Sequence, residues 1–253
     1  MQTNEEVLAN KIGAMGEELG RLYHVILDEV TWLHWKWGQL KILFSEKPSR
    51  IDLMNQSAPF FFQVVHDSLF ESTLLGIARI VGSPVTYKKE NLTIQRLDGL
   101  IADTTLKTEV RKLIDEAETT AQFATDWRNR HIAHRDLRLA LKESVNLLPT
   151  ATIKNVDDAL AAIQRVLDRI EGVYCNSSMV YARSPWGAQT LLHYVQGGLL
   201  RERDKREKWS RGERHDDDIN PPARESLRHL RLIESVPLFL NRQRLHSYCG
   251  INV

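Results

Sequence analysis

The chain has 253 residues, 42% hydrophobic and 26% charged, which is enough apolar material for one large folded domain or one domain with an appendage. The formal net charge of +1 excludes a globally basic nucleic-acid-binding protein, so any such contact requires a local basic patch. Two cysteines cannot build a disulfide framework, and neither a signal peptide nor an apolar membrane segment is evident. These features predict a cytoplasmic protein without a membrane span.

Hydrophobic residues recur at helical spacing along most of the chain. The first stripe, over residues 12–44, predicts one long helix or two nearly collinear ones. A second helix is predicted over residues 59–81, because a Gly-Ser-Pro sequence stops it at residue 82. Its predicted buried side is formed by Phe61, Val65, Leu69, Leu74 and Ile77. A polar connection and a short helix over residues 92–101 follow.

Three further helices complete the predicted core. One begins near Thr105 and runs into a basic segment, and another spans residues 156–174. The inward side of the latter is predicted to be Leu160, Ile163, Val166, Leu167 and Ile170. The last core helix is predicted to start near Pro185 and to continue through Leu191, Leu192, Val195 and Leu199. No segment alternates with the period of a strand, so the predicted fold class is all-α.

The composition changes after residue 200. Closely mixed positive and negative charges predict a solvated helix end followed by a flexible loop, or alternatively a mobile arm that touches RNA or a partner. The final residues become apolar again. We therefore predict an up-and-down helical bundle over residues 1–200 and a charged, partly flexible extension with an apolar tail over residues 201–253.

The segment DWRNRHIAHRDL, residues 126–137, carries the most chemical information. Cations and imidazoles crowd this segment and the position after it, namely Arg128, Arg130, His131, His134, Arg135 and Arg138. Arginine is a permanently charged, forked phosphate ligand, and histidine exchanges protons near neutral pH. The density of these side chains favours a site that holds a phosphate and moves a proton.

On a regular α-helix these six side chains share one face. Arg128 and His134 then lie about 9 Å apart along the axis and about 120° apart around it, too far for partners within one chain. A two-fold axis would bring the same patch of two copies together. The spacing therefore predicts a homodimer with a composite site of two arginines and two histidines.

Such a site suits RNA cleavage. A neutral histidine can accept the proton of the 2′-hydroxyl, and a protonated histidine can donate a proton to the leaving 5′-oxygen. Arginine neutralises the negative charge that develops on the phosphate. We expect 2′,3′-cyclic phosphate and 5′-hydroxyl ends without metal or cofactor, and no cleavage of DNA, which lacks the 2′-hydroxyl.

Other interpretations of the same residues remain open. The segment can be a solvated helix end whose cations favour the helix dipole. His131 and His134 form an HxxH pair, but neither cysteine is near in sequence and the flanking arginines would repel a cation, so a metal site is not predicted. The tryptophans Trp32, Trp35 and Trp37 suit either a base-stacking platform or a core or dimer interface.

Arg128, followed by Asn129 and, after five intervening residues, by His134, resembles the motif of HEPN-domain ribonucleases. Residues 126–137 resemble most specifically the abortive-infection U type, a group related to phage defence, and the Ile-Ala-Arg sequence at 77–79 agrees. The resemblance covers roughly residues 10–200. It implies catalytic roles for Arg128 and His134, with Asn129 orienting the site, whereas His131 is not a motif residue.

The resemblance also implies partners. Proteins of this type commonly pair with a nucleotidyltransferase-type antitoxin that modifies a tyrosine near the motif, but no tyrosine closely follows His134 here. We predict a metal-independent RNA endonuclease acting as a phage-defence or toxin component. In it, Arg130, His131, Arg135 and Arg138 bind flanking RNA. The alternative is a non-catalytic dimeric module that binds RNA or protein.

Overall fold

The computed structural model describes residues 3–45, 47–133, 136–141, 148–178 and 187–213, and most of them are helical. The helices are α1 Asn4–Met15, α2 Glu17–Phe44, α3 Pro48–Ser57, α4 Pro59–Ile80, α5 Thr104–Thr120, α6 Gln122–Trp127, α7 Leu137–Ala140, α8 Ile153–Tyr174 and α9 Ala188–Ser210. The all-α prediction is confirmed. Within the described residues no helix is both long and apolar enough to cross a bilayer.

The described residues group into two compact units. Residues 3–38 and 68–178 belong to the first, and residues 39–67 and 187–213 belong to the second. Helices α2 and α4 each contribute residues to both units. The candidate site described below lies in the first unit.

Helices α1 and α2 are separated by a sharp turn and are not collinear. Gly16 has a φ of 83°, in the left-handed region that glycine adopts without strain. A Cβ added at Gly20 would lie 2.7 Å from the Cα of Ile12, so the first turns of α2 pack directly against α1. In collinear helices these two residues would be about 12 Å apart. The expectation of near-collinearity is therefore wrong.

The core of the first unit is built around α5 and α8, which pack against each other. The five residues predicted on the inward side of α8 are all buried, which confirms that prediction. Helix α2 joins this core through two polar contacts. Trp37 donates its indole N–H to Asp157 Oδ1 at 2.7 Å, and the Tyr23 hydroxyl donates to the Leu167 carbonyl at 3.3 Å.

Helix α4 has the predicted bounds to within a residue, but its buried side begins one position later than predicted. Phe61 is 59% exposed, whereas Phe62, His66, Phe70, Leu74 and Ile77 are buried. The first half of α4 carries apolar residues on adjacent positions, so its sequence offers two overlapping apolar stripes. Neighbouring helices decide between such stripes, and sequence periodicity alone does not.

Between α4 and α5 the chain forms a hairpin and two single turns of 3₁₀-helix. Strands β1 Val85–Thr86 and β2 Lys89–Glu90 pair antiparallel around Tyr87 and Lys88, whose φ values of 49° and 65° fit a type I′ turn. The predicted polar connection is thus a small hairpin. The predicted short helix is replaced by the 3₁₀ turns Ile94–Arg96 and Asp98–Leu100.

Helix α9 lies in the second unit, where it packs on α3, a helix that was not predicted. Its buried residues are Ala188 and Leu192, whereas Leu191 is exposed, so the predicted inward side is only partly correct. Pro185 lies outside the described residues. The helix continues through residue 200 to Ser210, so the start of the charged region is helical. The boundary at residue 200 stays a prediction.

Candidate active site

The arginine- and histidine-rich segment does not continue α5 as one regular helix. Helix α5 ends at Thr120, and α6 gives way at Arg128 to a π-helical turn, Arg128–Ile132, in which the Ala133 N–H donates to the Arg128 carbonyl at 2.8 Å. Asp136 then starts α7, because its side chain accepts from the Leu139 N–H at 3.1 Å. The helical angles assumed for residues 128–138 therefore do not apply. Single π turns inside helices are frequent at functional sites.

Arg128 is held by its neighbour Asn129. The Arg128 Nε and Nη2 atoms donate to Asn129 Oδ1 at 2.9 and 2.8 Å. Its Nη1 atom lies 3.8 Å from the position that a Cβ on Gly82 would occupy, so the guanidinium reaches the C-terminal end of α4. In the described part of the chain it forms no ion pair with a carboxylate. A neutral amide thus orients a fully charged arginine.

His131 also faces α4, but it points toward the middle of that helix. Its Nε2 lies 3.9 Å from Glu71 Oε1, and its ring packs edge-on against Trp127 with centroids 5.3 Å apart. Trp127 in turn packs against Phe70 and donates its indole N–H to the Pro149 carbonyl at 2.8 Å. Side-chain packing therefore fixes His131, which is half-buried.

The remaining predicted site residues differ in their surroundings. Arg130 is half-buried, and its carbonyl accepts from the Asp136 N–H at 3.0 Å. Asn129 is exposed, and so is Arg138 in the short helix α7. His134 and Arg135 lie outside the described residues. The structure thus gives the geometry of the Arg128 side of the predicted pair, and the role of His134 stays a prediction.

Beside Arg128 the first unit has an open cleft of about 460 Å³. The C-terminal end of α4, the β1–β2 hairpin, the end of α5 and α6 surround it. Its charged and amide lining comprises Arg79, Glu90, Asn91, Glu118, Gln122 and Arg128. Sequence reasoning gave Arg79 no role. The available signal was a single basic residue in the last turn of α4, three residues before Gly82.

The three tryptophans of α2 divide between two environments. Trp37 is buried and bonded to Asp157, so it belongs to the core. Trp32 and Trp35 are 59% and 40% exposed, and their rings meet edge-on with centroids 5.8 Å apart. A stacking or interface role is therefore open to these two alone. Among the described residues, no three histidine, cysteine or acidic side chains gather as a metal site would require.

Comparison with known families agrees with this geometry. The sequence profile of the AbiU2 family of HEPN domains matches residues 16–189, which is most of the chain and includes residues 126–138. Neither a curated protein nor a solved structure matches. The match confirms the predicted resemblance to HEPN proteins of the abortive-infection U type. The chain therefore belongs to the AbiU2 family of HEPN proteins, a family of abortive-infection type.

Proposed function

We propose that this protein is a metal-independent RNA endonuclease of the HEPN class that acts as a homodimer in phage defence or as a toxin. The observation that carries the proposal is the state of Arg128. Its guanidinium is fixed by Asn129 and has no neutralising carboxylate among the described residues. An arginine prepared in this way is suited to bind the phosphate at which negative charge develops. The family match adds support, since the matched range contains Arg128 and the segment that resembles the HEPN motif.

The proposed reaction is an internal transfer at the scissile phosphate. Neutral His134 accepts the proton of the ribose 2′-hydroxyl, and the 2′-oxygen forms a bond to phosphorus. The bond from phosphorus to the 5′-oxygen breaks, and a protonated His134 from the second copy gives its proton to that oxygen. The products are a 2′,3′-cyclic phosphate and a 5′-hydroxyl. Arg128 stabilises the charge on the non-bridging oxygens throughout.

The flanking basic residues would extend the grip on RNA. Arg130, Arg135 and Arg138 carry fixed charges that suit neighbouring phosphates, with a salt-sensitive affinity. His131 is held between Trp127 and Glu71, so its proposed part is to line the RNA-binding surface. The cytoplasm is the compartment we propose, because Cys175 carries a free thiol, as is usual under reducing conditions.

The decisive experiment incubates purified protein with total RNA in EDTA, with DNA as a parallel substrate. We expect the wild type to cleave RNA alone, and His134→Ala and Arg128→Ala to lose the activity. Matched controls are His193→Ala, an exposed histidine of α9, and Arg165→Ala, an exposed arginine of α8, and both should cleave normally. Equal cleavage by the wild type and His134→Ala would refute the assignment.

The dimeric site has its own test. Wild type and His134→Ala are mixed, unfolded and refolded together so that heterodimers form. If each site needs His134 from both copies, activity in an equal mixture falls to roughly one quarter, whereas independent copies retain roughly one half. RNA binding without cleavage by any preparation would instead favour the non-catalytic module. If the protein acts as a toxin, an antitoxin of the nucleotidyltransferase type is the partner that we expect to co-purify with it.

A further inference from the structure

The cleft beside Arg128 carries two cations without carboxylate partners. Arg79 is exposed and makes no hydrogen bond or ion pair with any described residue, and Arg128 bonds only to an amide oxygen. Four other arginines of the first unit pair with carboxylates, namely Arg96 with Glu90, Arg111 with Asp115, Arg165 with Glu116 and Arg169 with Glu109. Both arginines line the cleft, and no carboxylate of the described residues pairs with either of them.

The acidic side chains of the cleft do not neutralise this pair. Glu118 Oε2 accepts a hydrogen bond from Gln95 at 3.0 Å, and Glu90 lies 3.5 Å from Arg96. Neither carboxylate comes within 4 Å of Arg79 or Arg128. Two like charges facing one cleft repel each other, and an anion bound between them would remove that repulsion.

The backbone around the cleft leaves room for an anion, and the end of α4 has a capping group other than the arginines. The end of α4 is already capped, because the buried Thr93 hydroxyl lies 2.7 Å from the Ile80 carbonyl and 2.8 Å from the Gly82 carbonyl. Gly82 has no side chain to separate Arg128 from the end of α4. The last carbonyl of the helix, that of Ile80, therefore has a donor other than an arginine.

The size and remaining lining of the cleft fit a nucleotide unit. A volume of about 460 Å³ exceeds what a lone phosphate needs and falls within the range of small-ligand pockets. Thr125 lines the cleft with a hydroxyl that has no partner among the described residues, and Gln122 offers its carbonyl oxygen there. These groups can bond a ribose or a base edge, whereas the arginines bind phosphate in forked geometry.

We propose that this cleft is a second phosphate-binding subsite, in which Arg79 holds the phosphate of the nucleotide adjacent to the one bound at Arg128. The proposal rests on the RNA-cleaving function proposed above, and it adds one substrate-binding residue and the path that the bound RNA follows. RNA leaves the scissile phosphate at Arg128 and runs along the C-terminal end of α4, past Arg79. Arg79 is thus a substrate-binding residue and takes no part in proton transfer.

The test separates binding from cleavage. A fluorescein-labelled single-stranded RNA is titrated by anisotropy into full-length His134→Ala protein, with and without Arg79→Gln, over a range of salt concentrations. We expect Arg79→Gln to raise the Kd roughly tenfold or more. The slope of log K against log salt should fall by about 0.7, the value for one lost contact to single-stranded phosphate. Arg79→Lys should keep the slope but bind more weakly, since lysine lacks the fork.

The matched control is Arg165→Gln, which removes an arginine of the same unit away from the cleft and should leave Kd and slope unchanged. Arg79→Gln should also leave the melting temperature unchanged, because its side chain bonds to no described residue. A Kd and slope equal to those of the unsubstituted His134→Ala protein would overturn the proposal, as would equal losses in the Arg165→Gln control.

Two further arms distinguish the failure modes. If adenosine monophosphate binds with Arg79 dependence but RNA does not, the cleft is a free-nucleotide site and the RNA assignment is wrong. If active protein cleaves RNA and Arg79→Gln leaves KM unchanged, the subsite fails and the proposed function stands. If RNA binding depends on Arg79 but the wild-type protein never cleaves RNA, the subsite is supported and the proposed nuclease function is wrong.

Discussion

Replacing Thr93 by valine tests how the end of α4, which forms one side of the cleft, is held. Thr93 is fully buried, and its hydroxyl lies 2.7 Å from the Ile80 carbonyl and 2.8 Å from the Gly82 carbonyl. Valine keeps the shape but removes the single hydroxyl hydrogen that these two carbonyls share, so a buried acceptor loses its donor at a cost of about 1–3 kcal/mol. The added methyl group returns about 0.8 kcal/mol. The expected net loss of unfolding free energy is therefore about 0.2–2.2 kcal/mol.

The assay is urea unfolding followed by far-ultraviolet circular dichroism, in which the midpoint should fall with an unchanged m value. In thermal unfolding the same loss corresponds to a Tm lower by up to about 9 °C. Thr108→Val is the matched control, because the Thr108 hydroxyl bonds to the Thr104 carbonyl at 2.8 Å on the exposed side of α5, where water can replace it. A Thr93→Val protein no less stable than the control would refute the reasoning.

Three further predictions concern the contact between α1 and α8, where Lys11 and Glu171 form a buried ion pair. Lys11→Met leaves the buried Glu171 carboxylate unpaired and should lower the free energy of unfolding by about 3–5 kcal/mol, whereas Lys11→Met combined with Glu171→Leu should lower it much less. A Lys11→Met protein as stable as wild type in urea would contradict this prediction. Burial alone raises the pKa of Glu171, but hydrogen bonds from Lys11, Ser177 and Tyr23 outweigh it and hold the pKa below the ordinary 4.5. The stability that ionised Glu171 contributes is therefore complete above pH 4.5 and is lost as the pH falls through the folded-state pKa. Urea midpoints should drop in acid more steeply for wild type than for Glu171→Gln. Parallel plots of midpoint against pH for the two proteins would contradict this prediction. Burial, and secondarily the Glu171 carboxylate, raise the pKa of the Cys175 thiol above 9.0, so in a Cys249→Ser protein iodoacetamide should react slowly at neutral pH, and rapid labelling would disprove this.

Part of the fold could be predicted where the hydrophobic pattern of a helix was compatible with only one buried side. Helix α8 has a single apolar stripe opposite a polar face, and all five of its predicted inward residues are buried. The start of α4 offered two adjacent stripes, and the one containing Phe62 is buried while Phe61 is exposed. A turn such as that at Gly16 leaves little trace in periodicity, so the sharp angle between α1 and α2 was missed.

The candidate site shows the same division. The residue types of the segment point from sequence alone to phosphate chemistry, whereas the hydrogen bonds between Arg128 and Asn129 appear only in the structure. The π turn at Arg128–Ile132 could not be read from the sequence, because a pattern of period 3.6 carries no signal for one wider turn. Arg79 was seen only as a matching residue, since its nearness to Arg128 depends on how α4 and α6 pack.

The sequence by itself determined the all-α class, the family and the chemistry available to the segment, because these depend on residue types and on spacing along one helix. The tertiary structure decided where those groups point. Trp127 packs on Phe70 and bonds to Pro149, His131 is drawn to Glu71, and Arg128 reaches the cleft that it shares with Arg79. Each of these contacts joins residues far apart in the chain, and local sequence pattern does not encode the distance between them.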